Sequence, residues 1–329
     1  MSTVLVTGGA GFIGSHLCRS LADDGHTVFA YDAMAQYSLP PCDRYAQNMA
    51  HRFRRLLSDV EMIRGDTRNP TDLRRAISRI RPQRIVHLAS LPLANVAIDE
   101  SEEAFESIVT GTVNLFEILR DEPRVERITF ISSSMVYGDF VETPAREDMQ
   151  TRPTDIYGSM KLAAEIIVRG YAQRYGIPIT IVRPSAVYGP SDNNRRVLSI
   201  FVENALADRE IVAVNGDTTI LDFSFVEDVA DGIKQATLSP NTVGETLNVT
   251  RGEGRSLTEA IDILRGYFPN LRYRLERKET FHPRRGALDI SKARALVGYA
   301  PKYALEDGLA RYLEHLGVVQ QAAPVVAQA

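Results

Sequence analysis

Residues 3–17 read TVLVTGGAGFIGSHL. The opening run is short, apolar and rich in valine, the signature of a buried strand, and the stretch from Ser15 onward, SHLCRSLADDG, is patterned as an amphipathic helix. Between them Gly8, Gly11 and Gly14 are spaced G-x-x-G-x-x-G. Placed where a strand hands over to a helix, such a turn lets bare backbone approach a pyrophosphate, while the helix N-terminus offers amides and positive dipole. The pattern alone is a weak signal, and its position gives it force.

The same alternation continues. HTVFAYD, EMIRGD, RIVHLAS, RITFISSS and ITIVRPS are further buried-strand runs, separated by helical patterns such as PTDLRRAISRI and EEAFESIVTGTVNLFEILRD. Strand and helix repeated in this order imply parallel pairing with right-handed crossovers, hence an α/β fold with a doubly wound parallel (Rossmann) sheet. After Arg183 the rhythm breaks into turns, short strands at IVAV and ETLNVT, and short helices. This predicts a smaller, discontinuous α/β C-terminal lobe: residues 1–183 plus about 222–251 form the first domain, about 184–221 plus 252–316 the second, and 317–329 a frayed tail.

Composition narrows the function classes. The chain of 329 residues is 44% hydrophobic and 24% charged with a net charge of −4, which suits an enzyme with one large core and gives no electrostatic support to a nucleic-acid partner. No eighteen uncharged apolar residues follow one another, so no membrane association is expected and the protein is read as cytoplasmic. Cys18 and Cys42 form no C-x-x-C, and the six histidines show no ligand spacing, so no metal site is expected.

Asp32 ends the second strand run eighteen residues after Gly14, where a carboxylate can accept both hydroxyls of an adenosine ribose and would repel a 2′-phosphate. NAD is therefore favoured over NADP. Asp66, at the end of the third run, is placed either to reach the adenine edge or to cap a turn.

Ser132 to Ser134 end the run RITFISSS, and parallel sheets place ligands beyond the carboxyl ends of their strands. Twenty-four residues after Ser133 stands Tyr157, with Lys161 one helical turn further on the same face. A tyrosine hydroxyl ordinarily titrates near 10, and one cation at about 4 Å in an effective dielectric near 20 supplies about 4 kcal/mol, nearly enough to bring it to neutrality, to which a positive nicotinamide ring would add. Tyr157 is thus the candidate base for a hydroxyl proton while hydride leaves the same carbon, with Ser133 hydrogen-bonding the oxygen.

With TGGAGFIG, Asp32, GDTRNP, HLAS, TGTVNLFE, SSSMVYG, YGSMK, RPSAVYGP and DISKARALVGY on one chain, the sequence resembles the extended short-chain dehydrogenase/reductase family, in its NAD-dependent sugar epimerase/dehydratase branch. The resemblance runs from Val4 to about Leu316. It implies a tightly held NAD, a sugar-nucleotide site in the C-terminal lobe, and Ser133, Tyr157 and Lys161 as the catalytic set. It also implies a cofactor site formed by Gly8, Gly11, Phe12, Ile13, Gly14, Asp32, Asp66, Thr67, Leu88, Ala89, Ser90, Tyr157, Lys161, Pro184 and Val187. A homodimer is implied through the helices near Ala104–Leu119 and Tyr157–Tyr171.

Three departures bear on the substrate. Members that dehydrate sugars follow their Ser/Thr with an Asp-Glu pair, whereas Ser134 and Met135 stand here, and methionine is neither acid nor base. Ala186 replaces a common asparagine and Leu221 a common arginine that grips the diphosphate. Ser133 and Ser134 are the candidate contacts on the sugar; either Arg195, Arg196, Arg284 or Arg285 take over the phosphates, or the substrate is not a conventional UDP-sugar. The leading reading is a C4 epimerase of a sugar nucleotide, beside a dehydrogenase or reductase with exchangeable NAD and a non-catalytic nucleotide sensor. The long loop from Met34 to Arg54 carries no assigned role.

Overall fold

A computed structural model describes residues 1–35, 42–91, 93–278 and 283–318. In chain order its first elements are β1 (Thr3–Thr7), α1 (Phe12–Asp23), β2 (Thr27–Asp32), α2 (Tyr45–His51), β3 (Glu61–Arg64), α3 (Pro70–Ile80), β4 (Arg84–His87), α4 (Ala94–Asp99), α5 (Ser101–Phe105), α6 (Gly111–Leu119), β5 (Arg127–Ile131), α7 (Ile156–Tyr175) and β6 (Ile179–Arg183). There follow β7 (Val187–Tyr188), α8 (Val197–Leu206), β8 (Ile211–Val214), β9 (Ile220–Asp222), β10 (Ser224–Phe225), α9 (Val226–Leu238), β11 (Thr246–Asn248), β12 (Gly254–Ser256), α10 (Leu257–Tyr267), β13 (Tyr273–Glu276), α11 (Ser291–Val297) and α12 (Leu305–His315).

The expected doubly wound sheet is present. Seven strands run in the order β11-β6-β5-β4-β1-β2-β3, with every pairing parallel. The strand order reverses between β1 and β4, and the crevice at that switch is where such sheets take ligands. One face buries Val4, Val6 and Val86 with Leu17, Leu21, Val229 and Ile233 of α1 and α9. The other buries Leu5, Ile85, Ile128 and Ile181 with Leu73, Phe116, Ala164 and Val168 of α3, α6 and α7. Because β-strand side chains alternate faces, a strand buried on both sides reads as a continuous apolar run, which is why these segments are legible from composition alone.

A third core joins α8, α10 and α12 around Phe201, Phe223, Leu264, Leu309 and Leu313. Three two-stranded sheets, β10-β7, β12-β9 and β13-β8, flank it. β11 returns to the large sheet, while α9 packs on α1. Of the tail, residues 319–329 lie outside the described residues.

The pattern EEAFESIVTGTVNLFEILRD reads as one helix, and the chain is helical from Ser101 to Leu119, with one wider turn over Glu106–Thr110 joining α5 to α6. The turn brings Gly111 against Thr67, whose Oγ1 would lie 2.6 Å from a Cβ at that position. Any larger residue would push α6 off the third strand's loop.

Candidate active site

The glycine turn is shaped by exclusion. Gly8 has φ +71°, and a Cβ on it would stand 2.8 Å from the Ala89 nitrogen. A Cβ on Gly14 would come within 2.1 Å of the Gly8 carbonyl oxygen. The chain therefore passes close to Leu88 and Ala89 after β4 and turns directly into α1, where Gly11 is the N-cap residue and supplies no side-chain cap. Leu88 and Ala89 are held there by Thr7, whose carbonyl accepts from the Leu88 amide at 3.0 Å and whose hydroxyl accepts from the Ala89 amide at 3.4 Å. Uncapped amides at a helix N-terminus with no Cβ in the way are a cradle for a pyrophosphate.

Asp32 ends β2 beside this turn. Its carboxylate accepts from the amides of Ala10 at 3.0 Å and Met34 at 2.8 Å. Burial pushes its pKa up, and these backbone donors oppose the push. A carboxylate fixed at the second strand's end, facing a cradle open only to backbone, fits the dinucleotide NAD. Asp66 accepts from the Arg68 amide and its Nε, both at 2.8 Å, so its carboxylate caps its own turn. Thr67, beside it, is buried under Gly111, and the Ser90 hydroxyl donates to the Leu91 carbonyl at 2.9 Å.

Tyr157 and Lys161 rise from the first turns of α7, which the Asp155 carboxylate caps by accepting from the Gly158 amide at 2.8 Å. The Tyr157 hydroxyl lies close enough to the Ser133 side chain for Ser133 to lower its pKa, and the Ser133 hydroxyl accepts from the Met135 amide at 3.2 Å. The β5 end and the start of α7 thus bring Ser133 and Tyr157 together. Lys161 is buried, its Nζ lying 5.9 Å from the Tyr157 ring centroid and donating to the Ile131 carbonyl at 3.0 Å. Burial pulls Lys161 down to about 8, against the field of Glu165. Burial also pushes Tyr157 up to about 12, opposed first by the charge of Arg196 and then by the Ser133 hydrogen bond. In the chain by itself burial governs the phenol, and the Lys161 ammonium beside it is committed to the Ile131 carbonyl. Under them, His87 bridges the hydroxyls of Thr7 at 2.7 Å and Thr112 at 3.1 Å, and burial lowers its pKa to about 3, so a neutral ring underlies the site.

The candidate substrate residues are placed unequally. The Ser134 hydroxyl donates to Ser185 Oγ at 3.0 Å and is fully buried, so it fastens β5 to β6 instead of facing the cleft. The amide of the same residue donates to the Pro184 carbonyl at 3.0 Å, and Val187 opens β7 directly after Ala186. Ala186 has φ +36°, a left-handed conformation that asparagine tolerates better than alanine. Arg195 lies 3.8 Å from Glu203, and Arg196 forms a 2.7 Å ion pair with the buried Asp192. Arg284 is 87% exposed at its side chain and faces Asp139 at 3.7 Å. Arg285 turns inward toward Asp155, and both its Nε and Asp155 Oδ2 are buried without a hydrogen-bond partner among the described residues.

Two groups escaped the sequence reading. Arg52 follows α2 in the loop that carried no assignment. It is buried, donating to the Ala10 carbonyl through Nη1 and to the Ser191 carbonyl through Nε, both at 3.1 Å, so it laces the glycine turn to the C-terminal lobe. Nothing in RFRRL singles it out from its arginine neighbours. Glu165, four residues beyond Lys161, is buried and pairs with the buried Arg183 at 2.9 and 2.7 Å. Its spacing on the catalytic face of α7 was a usable signal.

A doubly wound sheet with a glycine cradle at its switch point and a Ser-Tyr-Lys cluster on the adjacent strand and helix defines a nicotinamide-dependent class of enzyme. The chain belongs to the NAD dependent epimerase/dehydratase family, whose model matches residues 4–250. It is 29% identical to the UDP-glucose 4-epimerase of Mycolicibacterium smegmatis over 94% of this chain and 97% of that protein. Among solved structures it resembles UDP-glucuronic acid 4-epimerase from Bacillus cereus in complex with UDP-glucuronic acid and NAD, with a TM-score of 0.86, 28% identity and coverage of 96% of this chain and 99% of that one. It also resembles the dTDP-glucose 4,6-dehydratase of Streptomyces venezuelae with NAD bound, with a TM-score of 0.84, 25% identity and coverage of 95% and 96%. Among the described residues no helix is long and apolar enough to cross a membrane, and no cluster of metal-ligating side chains occurs.

Proposed function

We propose that the protein is an NAD-dependent epimerase that inverts C4 of a sugar nucleotide through a transient keto-sugar. The observation that carries this reading is the convergence of the Ser133 and Tyr157 hydroxyls over buried Lys161 beside the glycine cradle. Tyr157 takes the proton of the C4 hydroxyl as the carbon is oxidised, Ser133 holds the same oxygen, and Tyr157 returns the proton after the sugar has turned over. NAD held in the cradle would supply a reversible acceptor for the C4 hydride, so that no net redox change results. Gly8, Gly11, Phe12, Ile13, Gly14 and Asp32 would hold its adenosine diphosphate half. Leu88, Ala89, Ser90, Pro184 and Val187 would line the nicotinamide half.

Epimerisation is preferred to dehydration because Met135 occupies the position next to Ser134 where an eliminating acid is needed, and its side chain is buried. Arg285 is the arginine we assign to the substrate's anionic oxygens, since among the described residues it forms no ion pair within 4 Å, while Arg195, Arg196 and Arg284 pair with carboxylates at 3.8, 2.7 and 3.7 Å.

We further infer a cytoplasmic homodimer. The buried thiols of Cys18 and Cys42 stand free, which suits a reducing compartment. Ile98, Phe105 and Ile166 on α4, α5 and α7 are 50%, 51% and 63% exposed, an apolar strip that a second copy would cover. The division of domains near Arg183, Asp222 and Arg251 is likewise proposed, supported by the return of β11 to the large sheet.

The test is to incubate the purified protein, without added cofactor, with UDP-, GDP-, CDP- and dTDP-sugars and follow each by proton NMR. Inversion at C4 without accumulation of NADH is expected for one of them. Stoichiometric NADH, or inversion at another carbon, would replace the C4 epimerase with a dehydrogenase or a different epimerase.

A further inference from the structure

Arg52, in the segment after α2, is 5% exposed, yet among the described residues no carboxylate forms an ion pair with it. A charge taken out of water is ordinarily paired, because an uncompensated one is costly to bury. Here the guanidinium is instead divided between two main-chain carbonyls far apart in sequence. Nη1 donates to the Ala10 carbonyl at 3.1 Å, while Nε, at 3.1 Å, and Nη2 converge on the Ser191 carbonyl.

Ala10 lies inside the glycine turn. Its amide donates to the Asp32 carboxylate at 3.0 Å, and the Gly11 amide donates to the Gly8 carbonyl at 3.0 Å. The Arg52 contact completes this set, so the peptide between Ala10 and Gly11 is held at both its C=O and its N–H, immediately ahead of α1. Without Arg52 the Ala10 carbonyl loses its charged donor, and turning toward another would pull the Gly11 amide off Gly8 and tilt the first turn of α1, whose amides form the cradle. The other end of the fork is anchored as firmly. Ser191 has φ +71°, its hydroxyl is hydrogen-bonded to the His51 ring at 2.7 Å, and the carbonyls on either side of it are engaged: Pro190 accepts from His16 Nε2 at 3.1 Å and Asp192 from the Asn48 side chain at 3.3 Å.

We propose that Arg52 is a positioning residue for the dinucleotide's diphosphate: its fork braces the Ala10–Gly11 peptide against the Ser191 carbonyl, so that the segment after β7 holds the glycine turn in the shape that takes the cofactor. The diphosphate, when bound, brings negative charge to the turn that this buried cation touches.

This inference rests on the cradle taking NAD and not on any reaction at the sugar. Its test is competition in the full chain freed of NAD, with NADH fluorescence reporting occupancy and with ADP and adenosine as the displacing probes. Arg52→Gln is expected to weaken ADP and NADH by about tenfold, the loss of hydrogen bonds from a charged donor, and to leave adenosine within about twofold. A fold that is merely loosened would weaken ADP and adenosine alike; that result overturns the proposal, as does ADP binding equal to wild type. Arg52→Lys keeps the charge but not the fork, so it is expected to stay weakened toward ADP by about threefold or more. Full recovery in Arg52→Lys would show that charge alone acts and overturns the brace. Should Arg52→Gln fail to fold, Arg52→Lys decides by the same comparison of ADP with adenosine. If the binding constants behave as expected while no sugar nucleotide is epimerised, the brace stands and only the substrate reading fails.

Discussion

The glycine turn and the arginines after β6 are specified in different ways. At the turn the decisive atoms are backbone: a Cβ on Gly8 or Gly14 would meet main-chain atoms at 2.8 or 2.1 Å, so the geometry follows from which residues lack a side chain. In the lobe the decisive atoms are the ends of long side chains. Whether an arginine is available to a ligand depends on which carboxylate the fold brings against it: Glu203 for Arg195, Asp192 for Arg196, Asp139 for Arg284. A backbone site is written locally, and a side-chain site is written by tertiary pairing.

The most damaging way to break the local site is Gly14→Ala. The Gly8 carbonyl cannot move without dragging β1, so we expect no NAD retained after desalting and a stability loss of about 1–3 kcal/mol, read by melting temperature. Retention of NAD at wild-type stoichiometry would mean that the turn yields and that exclusion does not shape it. Next comes Tyr157→Phe, which removes one oxygen and leaves the cradle intact. Turnover should fall by about 10²–10⁴ while bound NAD stays constant. Residual activity within a few-fold of wild type would hand the proton to another group.

Those two changes act on features legible in the sequence, for a physical reason. The glycine spacing, the apolar strand runs and the Tyr157–Lys161 pair are local periodicities, and each periodicity maps onto one element. What was not legible depends on contacts far apart in the chain. Arg52 meets Ser191 across 139 residues, and Arg285 meets Asp155 between the second lobe and the cap of α7. The acidity of Tyr157 belongs with these. Helical spacing predicted a cation one turn away, and Lys161 is there, yet burial pushes the phenol up and the ammonium down. Even the long helical pattern over residues 102–121 hid a wide turn, because the reason for it, the Thr67–Gly111 contact, lies on another loop.

Asp32→Ala tests the border between the two kinds of site. Its carboxylate is placed by local backbone, through the Ala10 and Met34 amides, but would act through its charge on a ribose. A charged hydrogen bond contributes about 1.5–3 kcal/mol, so NAD affinity should fall by about tenfold to a hundredfold, and discrimination against NADP should narrow in the same variant. Fluorescence titration of the stripped protein with each dinucleotide gives both numbers, and an unchanged preference would place the discriminating group elsewhere.

The smallest effect is expected within one adjacent pair. Arg284 and Arg285 are indistinguishable in the string HPRRGALD, and the structure separates them: the first is 87% exposed at its side chain beside Asp139, the second is turned inward with an unpartnered Nε. Arg285→Ala should raise the KM for the sugar nucleotide by about tenfold or more, since a charge-assisted contact to an anion is lost. Arg284→Ala removes only an exposed ion pair, of the kind that contributes about 0–1 kcal/mol, and should leave KM and kcat within about twofold. The reverse ranking would show that the 283–288 segment rotates when substrate binds, exchanging which arginine faces inward. In that case pairing in the free protein does not determine which lobe arginine serves the ligand, and the contrast between a backbone-written and a pairing-written site would hold for the cofactor alone.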